Sequence, residues 1–507
     1  MSSEDGLQGR QSEVRSAAKG GAITLAGSAL SAVLGFVLNL MFARHLGAHG
    51  AGIVLQSIAV FTIALSFGKL GLDTTAVWCL PRFLISERGK VKPALIGLLV
   101  PALVTSLLAD LVWLGLVELP GVHVFSGEVH DAMLLSAIFL PAAVVMTVAL
   151  ASTRAFGGVV PFNLIGNVIV PGLRPIGMLV VIAMGGYATA AAFSWALPWL
   201  VGAVAALVVV VRQVRRREDL AGLPWQRDRE VDREIFSYSL PRSVMAGLEQ
   251  AILWLDVILV GSILGATQSG IYGSAARFVS AGVVVFTALR IVVAPRFSAM
   301  IAAREIDDLS HLYLVTTRWI VLFGSPAYLV LAVFSPTVLG WFGHRFTSGA
   351  TAMTILCLGS IAILAAGNVQ SLLLMSGQIR LGLVNKATVL ACNLGLNLWL
   401  IPTMGINGAA VAWAASMVLD TILAAWQVHR AIGLSLSLRP TVYALAATCL
   451  CVVVPSGAVA LLWGQGNLQL VLAVVVSGVL LLGYCYADRH RLDFVDLAMM
   501  RRGPRQD

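Results

Sequence analysis

The stretch Leu46-Gly47-Ala48-His49-Gly50-Ala51-Gly52-Ile53 returns as Leu264-Gly265-Ala266-Thr267-Gln268-Ser269-Gly270-Ile271, with Leu-Gly opening and Gly-Ile closing both copies. The offset is 218 residues in a chain of 507. Leu-Gly and Gly-Ile are common pairs, so one such match carries little. Two more follow in order. Pro81-Arg82-Phe83 returns as Pro295-Arg296-Phe297 at offset 214, and Gly186, Ala190 and Ala191 return as Gly405, Ala409 and Ala410 at offset 219. Three ordered coincidences near one offset indicate a duplicated unit. In a chain this apolar, duplication predicts a transporter built from two halves.

Composition identifies the solvent. Hydrophobic residues make up 58% and charged residues 12%, with a mean hydropathy of +0.89. Such a chain belongs in a bilayer. About fourteen stretches reach the roughly 20 residues that a spanning helix needs. They fall near 20–43, 52–80, 94–118, 132–153, 162–184, 188–211, 235–262, 270–293, 312–340, 350–375, 381–401, 406–428, 441–463 and 468–486. The first follows a charged segment and shows no cleavage-site pattern, so it reads as a retained helix.

The basic residues test this count. With a cytoplasmic N-terminus, the inside loops collect Arg10, Arg15, Lys19, Arg82, Arg88, Lys90, Lys92, Arg154, the Arg212–Arg217 cluster, Arg296, Arg304, Arg380, Arg430, Arg439 and the basic tail. The outside loops hold only Arg44 and Arg345, together with the acidic stretch from Glu118 to Asp131. That asymmetry places both termini in the cytoplasm. The net charge of +9 is therefore a topology signal. Nucleic-acid binding would need a clustered basic face on a soluble module, and none is visible. The six cysteines lie in or at the ends of spans without metal-ligand spacing and read as apolar filler.

The expected fold is all-α and integral to the membrane: two six-helix lobes related by a pseudo-twofold, followed by two appended helices. The segments are a cytoplasmic N-terminal segment (1–19), an N-lobe (20–211), a charged cytoplasmic linker (212–234), a C-lobe (235–430), a final helix pair (441–486) and a cytoplasmic tail (487–507). Pro101, Pro141, Pro171, Pro175, Pro198, Pro241 and Pro326 fall inside spans and predict kinks. No loop is large enough for a catalytic domain and no Walker lysine motif occurs, so neither a sugar transferase nor an ATPase is expected.

Ser31-Ala32-Val33-Leu34-Gly35-Phe36 and Ala43-Arg44-His45-Leu46-Gly47, with Gly71-Leu72-Asp73 and Ala276-Arg277, resemble the multidrug/oligosaccharidyl-lipid/polysaccharide exporter superfamily, in particular its polysaccharide-type flippases. The resemblance covers about the first twelve spans. It implies a V-shaped fold that moves lipid-linked sugars between leaflets by alternating access. It also implies a monomer in the bacterial cytoplasmic membrane, with no bound cofactor, a proton or sodium gradient as driving force and the polysaccharide polymerase machinery as a partner. The lipid II flippase branch of this superfamily carries two arginines and an acid that fall here on Ala32, Leu38 and Asn39, and second-span arginines near Leu65 and Ser66. Only its eighth-span arginine matches, at Arg277. An O-antigen or exopolysaccharide repeat unit on a polyprenyl pyrophosphate is therefore the expected cargo. The alternative is a multidrug or cation antiporter, whose first-span acid has no counterpart between Gly20 and Ala43.

Charges at bilayer depth cost several kcal/mol or more unless paired or hydrated, so each demands a reason. Arg277, Arg174, Arg290 and Arg318 are the expected contacts for the pyrophosphate, because guanidinium offers its oxygens a two-pronged donor. Arg174 lies between Pro171 and Pro175, where broken backbone and a cation coincide. Arg242, Glu249 and Asp256 are seven apart and form one stripe, which makes Glu249 and Asp256 the expected coupling acids. The same stripe is also read as a chain of structural ion pairs. Asp73 is a weaker candidate, since Lys69 four residues earlier can neutralise it. Lys386 is expected to snorkel to the cytoplasmic interface. Trp113, Trp341 and Trp463 are expected in the interfacial belt.

Overall fold

The computed structural model describes residues 3–118, 127–157, 159–281, 293, 296–376, 379–433 and 439–488. Among these residues all regular structure is helical. The chain divides into two compact units, Met1–Gly270 and Ile271–Asp507. Eleven described helices are long and apolar enough to cross a membrane, or twelve if the bent pair Glu128–Ala137 and Leu140–Ala155 counts as one. The first two sequence-predicted spans lie together in Gly20–Ser86, a single helical stretch of 67 residues. It is longer than one crossing uses, and it is interrupted at Gly47 and again at Leu70 and Gly71. The eighth predicted span, 270–293, runs into residues outside the described set.

The first unit opens with α1 (Ser3–Gly68), interrupted at Gly47, where φ is 67° and ψ is −172°. Leu70 (φ 46°) and Gly71 (φ 67°) break the chain again before α2 (Leu72–Ser86). The Thr105 hydroxyl on α3 (Val91–Glu118) donates to the freed Gly68 carbonyl at 2.6 Å, so the break is served by a neighbouring helix. Then come α4 (Glu128–Ala137), α5 (Leu140–Ala155), α6 (Val159–Asn163), a π turn at Leu164–Ile169, α7 (Val170–Ala183), α8 (Ala188–Ala196), α9 (Pro198–Arg215), α10 (Glu218–Ala221) and α11 (Arg229–Leu264). Pro141, Pro171 and Pro198 sit in the first turns of α5, α7 and α9. The span that contains Pro141 is bent by 44° between α4 and α5, and a proline's missing N–H costs nothing in a first turn. Pro101, Pro175, Pro241 and Pro326 lie inside continuous helices instead.

The repeated motif has a structural counterpart. Gly265, the match of Gly47, also takes a left-handed φ (89°) with extended ψ, and separates α11 from α12 (Ala266–Ala281). Only glycine adopts this region cheaply. One turn later the two copies meet. A Cβ on Gly52 would lie 1.7 Å from the Ala266 carbonyl oxygen, and one on Gly270 would lie 2.1 Å from the Ala48 carbonyl oxygen. The two helices cross backbone to backbone, which only residues without a side chain permit. Further along this seam, the Phe67 ring lies over Gly247 and the Gln56 amide over Gly261.

At the expected cytoplasmic end of this unit, Arg82 pairs with Glu234, Arg88 with Asp219 at 3.5 Å, and Lys90 with Glu230 at 3.8 Å. Lys92 donates to the Leu223 carbonyl at 2.6 Å, and Trp78 stacks on Tyr238 at 4.2 Å. The basic loop and the charged segment before α11 are therefore bound to one another.

In the second unit, α13 (Ile306–Val333), α14 (Ser335–Gly340), α15 (Ala350–Ala365), α16 (Val369–Met375), α17 (Ile379–Met404) and α18 (Ile406–Ile432) follow. The tenth predicted span breaks at Gly367 (φ 57°), between α15 and α16, where the Tyr313 hydroxyl donates to the Ala366 carbonyl at 2.6 Å. The last pair, α19 (Arg439–Trp463) and α20 (Asn467–Ala487), packs on itself and on α13. Of the tryptophans expected in the interfacial belt, Trp113 is instead buried within its helix packing, while Trp463 is exposed.

Candidate functional site

Arg174 stands on α7, one turn beyond the π turn that re-aims this span. The turn is held by polar side chains: Asn163 Nδ2 donates to Thr24 Oγ1 at 3.0 Å, and Asn167 Nδ2 donates to Asn163 Oδ1 at 2.8 Å. The guanidinium lies over two indoles, 4.6 Å from the Trp195 ring and 5.0 Å from the Trp199 ring, and its Nε donates to the Trp195 carbonyl at 3.3 Å. Phe61 completes the aromatic wall, edge-on to Trp195 at 5.2 Å and stacked near Trp199 at 6.1 Å. Indole faces hold a cation by its quadrupole attraction. Such a setting fixes a guanidinium plane in a span and suits it to an anion.

In the same unit, Asn39 is 3% exposed, and neither atom of its amide has a hydrogen-bond partner among the described residues. It occupies a position where the lipid II branch carries charge, and it is neutral here.

Among the sequence-predicted acids of this unit, Asp73 is paired with Lys69 at 2.8 Å, both about one-fifth exposed. The stripe on α11 divides by burial. Arg242 and Glu249 are exposed, whereas Asp256 is 2% exposed. Arg242 donates to the Tyr238 hydroxyl at 3.1 Å. A seven-residue spacing thus gives one helix face but not one environment.

In the second unit, Arg277 stands on α12 beside the buried Phe278, and Arg318 on α13 between the buried Thr317 and Trp319; both arginines are half-buried. Arg290 lies outside the described residues.

Sequence reasoning placed Lys386 at the interface. The structure corrects this: Lys386 Nζ on α17 lies 2.7 Å from Asp420 Oδ2 on α18, with the side chains 13% and 7% exposed. Gln370 Nε2 on α16 donates to the same oxygen at 2.6 Å. Two turns away on α18, Gln427 and Asn385 exchange a reciprocal amide pair, each bond 2.8 Å. A lysine can snorkel only if nothing closer neutralises it, and the acid on the next helix does so. No spacing rule could reveal the pair, since its partners are thirty-four residues apart.

Comparison with known proteins adds the following. The family described as "Polysaccharide biosynthesis protein" matches residues 17–301. The "Probable low-salt glycan biosynthesis flippase Agl15" of Haloferax volcanii is 29% identical over 198 residues, 38% of this chain and 41% of that relative. The chain thus spans about two-fifths of the length of the relative it matches. Among solved structures, the lipid II flippase MurJ in an inward closed conformation covers 92% of this chain and 99% of its own, with TM-score 0.72 and 11% identity. An inward-facing multidrug resistance MATE transporter of the MOP superfamily covers 80% of this chain and 94% of its own, with TM-score 0.67 and 15% identity. These likenesses establish the fold.

Proposed function

The chain belongs to the polysaccharide biosynthesis protein family, and on that premise we propose that it is a flippase for a polyprenyl-pyrophosphate-linked oligosaccharide. The cargo is an O-antigen or exopolysaccharide repeat unit, carried across the cytoplasmic membrane by alternating access. The observation that carries this reading is Arg174 held over Trp195 and Trp199 in a span that contains a π turn. It is a fixed cation, presented to an anion and flanked by aromatic faces of the kind on which sugars rest. Arg277, Arg290 and Arg318 are further candidate contacts on sequence grounds.

Transport is coupled to a proton or sodium gradient. Asp256 and Glu249 on α11 and Asp73 on α2 are the coupling candidates, all in the first unit. Of these, Asp256 is favoured by its burial and Asp73 is disfavoured by its lysine. A monomer with both termini in the cytoplasm, handing product to a polymerase, completes the proposal. The cation-antiporter reading shares the fold but lacks an acid in the first span, where the polar residue facing the interior is the neutral Asn39.

The test is complementation of a deletion strain, with lipid-linked intermediates identified by mass spectrometry. Arg174→Ala should lower flipping by about 10- to 100-fold, the worth of one charge-assisted bond to phosphate. Arg174→Lys should recover only part, since an ammonium keeps the charge but loses the flat fork that lies on the indoles. Wild-type export of the intermediates by Arg174→Ala would remove this residue from the site.

A further inference from the structure

We propose that Asp420 is a proton-binding site of this protein, with Lys386 as the internal cation that competes with the proton. The proposal rests on the transport reading above only for its use in coupling; the site itself is defined by geometry. Asp420 is 95% buried, and both of its donors, Lys386 Nζ and Gln370 Nε2, converge on Oδ2. Oδ1 is buried with no hydrogen-bond partner among the described residues. An ionised carboxylate offers about four lone-pair sites. Here one oxygen is served twice and the other, fully desolvated, not at all.

The three side chains come from three helices, α16, α17 and α18, so the carboxylate ties these helices together. Lys386 compensates the acid only while α17 and α18 stay in this register. Should they part, a lone carboxylate would be left in a span, which costs several kcal/mol or more. Protonation of Asp420 removes that cost, and the Lys386 ammonium, 13% exposed here, must then be hydrated as the helices part. The step balances simply. A proton from the aqueous phase forms an O–H bond at Oδ1, and the ammonium–carboxylate attraction at Oδ2 is lost. Lys386 keeps its three N–H bonds, and the site gains one positive charge. Release of that proton restores the pair.

Among the described residues, other ionisable groups near Asp420 do not take the role of Lys386. The helices α15, α16 and α17 pack against α18, and Ala424 and Val428 of α18 share a buried cluster with Tyr313 of α13, whose hydroxyl donates to the Ala366 carbonyl. The first three helices carry the buried Cys357 on α15, none on α16, and Arg380 and Cys392 besides Lys386 on α17. On α18 itself, His429 and Arg430 lie more than two turns beyond Asp420, in its last turn.

The full-length protein in nanodiscs, titrated from about pH 9 to about pH 4 by infrared difference spectroscopy, tests the site with no cargo present. Wild type should develop a protonated-carboxyl component on acidification that is absent in Asp420→Asn and retained in Asp131→Asn, a change at an exposed acid outside the sequence-predicted spans. Lys386→Gln removes the internal cation that competes with the proton, so the band should appear under less acidic conditions than in wild type. A band insensitive to Asp420→Asn, or a midpoint unmoved by Lys386→Gln, would overturn the proposal. Should a single variant fail to fold, the pair Lys386→Met/Asp420→Leu replaces both charges with apolar volume, which buried ion pairs commonly tolerate. It should lack the band, and a retained band would likewise overturn the site.

Coupling is then read in proteoliposomes loaded with a fluorescent polyprenyl-pyrophosphate disaccharide. Asp420→Asn should flatten the pH dependence of its flipping, whereas Asp420→Glu should keep it. An unchanged pH profile in Asp420→Asn would overturn the coupling role. Absence of any flipping by wild type, with the infrared band intact, would count against the cargo and not against the proton site.

Discussion

Lys69–Asp73 in the first unit and Lys386–Asp420 in the second are the same chemistry at the same distance, 2.8 and 2.7 Å. They differ in reach and in solvent. The first spans four residues across a break in its own chain, with both side chains 22% exposed. The second joins two helices, with side chains 13% and 7% exposed. The first pair neutralises itself where the chain turns, and about one-fifth of each side chain stays accessible. The second leaves a buried charge behind whenever either partner is lost. Contact distance therefore says little about an ion pair's worth, and burial with connectivity says most of it.

Removing one partner of the buried pair should show the largest effect. Asp420→Ala strands the Lys386 ammonium and should cost about 3–5 kcal/mol of stability, measured by denaturant unfolding of the purified protein in lipid nanodiscs. Asp73→Ala should cost less than Asp420→Ala, since its pair joins neighbouring residues of one chain segment and is less buried. Equal losses for the two variants would break the comparison. The double variant Lys386→Met/Asp420→Leu sharpens it. With both charges gone no desolvation remains unpaid, and most of the loss from Asp420→Ala should be recovered. A double variant as unstable as the single one would mean that the three-helix tie, and not the charge, holds this region together.

The legibility of the two pairs follows the same line. Lys69 and Asp73 could be joined from the sequence because four residues on a helix bring side chains to one face. Lys386 and Asp420 could not, because contact between helices depends on packing that no local spacing encodes. The repeat behaves alike. Leu46-Gly47 and Leu264-Gly265 marked a duplication, and the structure shows why glycine recurs there, with left-handed breaks at both. That Gly52 and Gly270 would meet each other was not legible, although it follows once the copies cross at matching positions. The all-helical membrane fold was legible because hydropathy, charge asymmetry and repetition are properties of the chain itself. At Arg174 the flanking prolines gave the place, but the indoles that hold it come from a helix about twenty residues on, and tryptophan in a membrane chain is read first as an interfacial anchor.

A third pair extends the comparison to its exposed limit. Arg82 and Glu234 join α2 to the start of α11, with side chains 41% and 30% exposed. Glu234 raises the Arg82 pKa further above its ordinary value, chiefly through their hydrogen bond. This fixes the guanidinium in its charged form but adds nothing that varies near neutral pH. Glu234→Ala should therefore cost less than about 1 kcal/mol, the usual worth of an exposed ion pair. The loss should shrink further in about 1 M salt, where the screening length falls to roughly 3 Å. The junction should survive because Trp78 stacks face to face on Tyr238 at 4.2 Å and Arg82 also lies over the Trp78 ring at 4.8 Å. Trp78→Ala should accordingly destabilise the junction more than Glu234→Ala, by an amount that salt does not alter. Unfolding at low and high salt measures both. A Glu234→Ala loss as large as that of Asp420→Ala would show that burial does not rank the pairs of this protein.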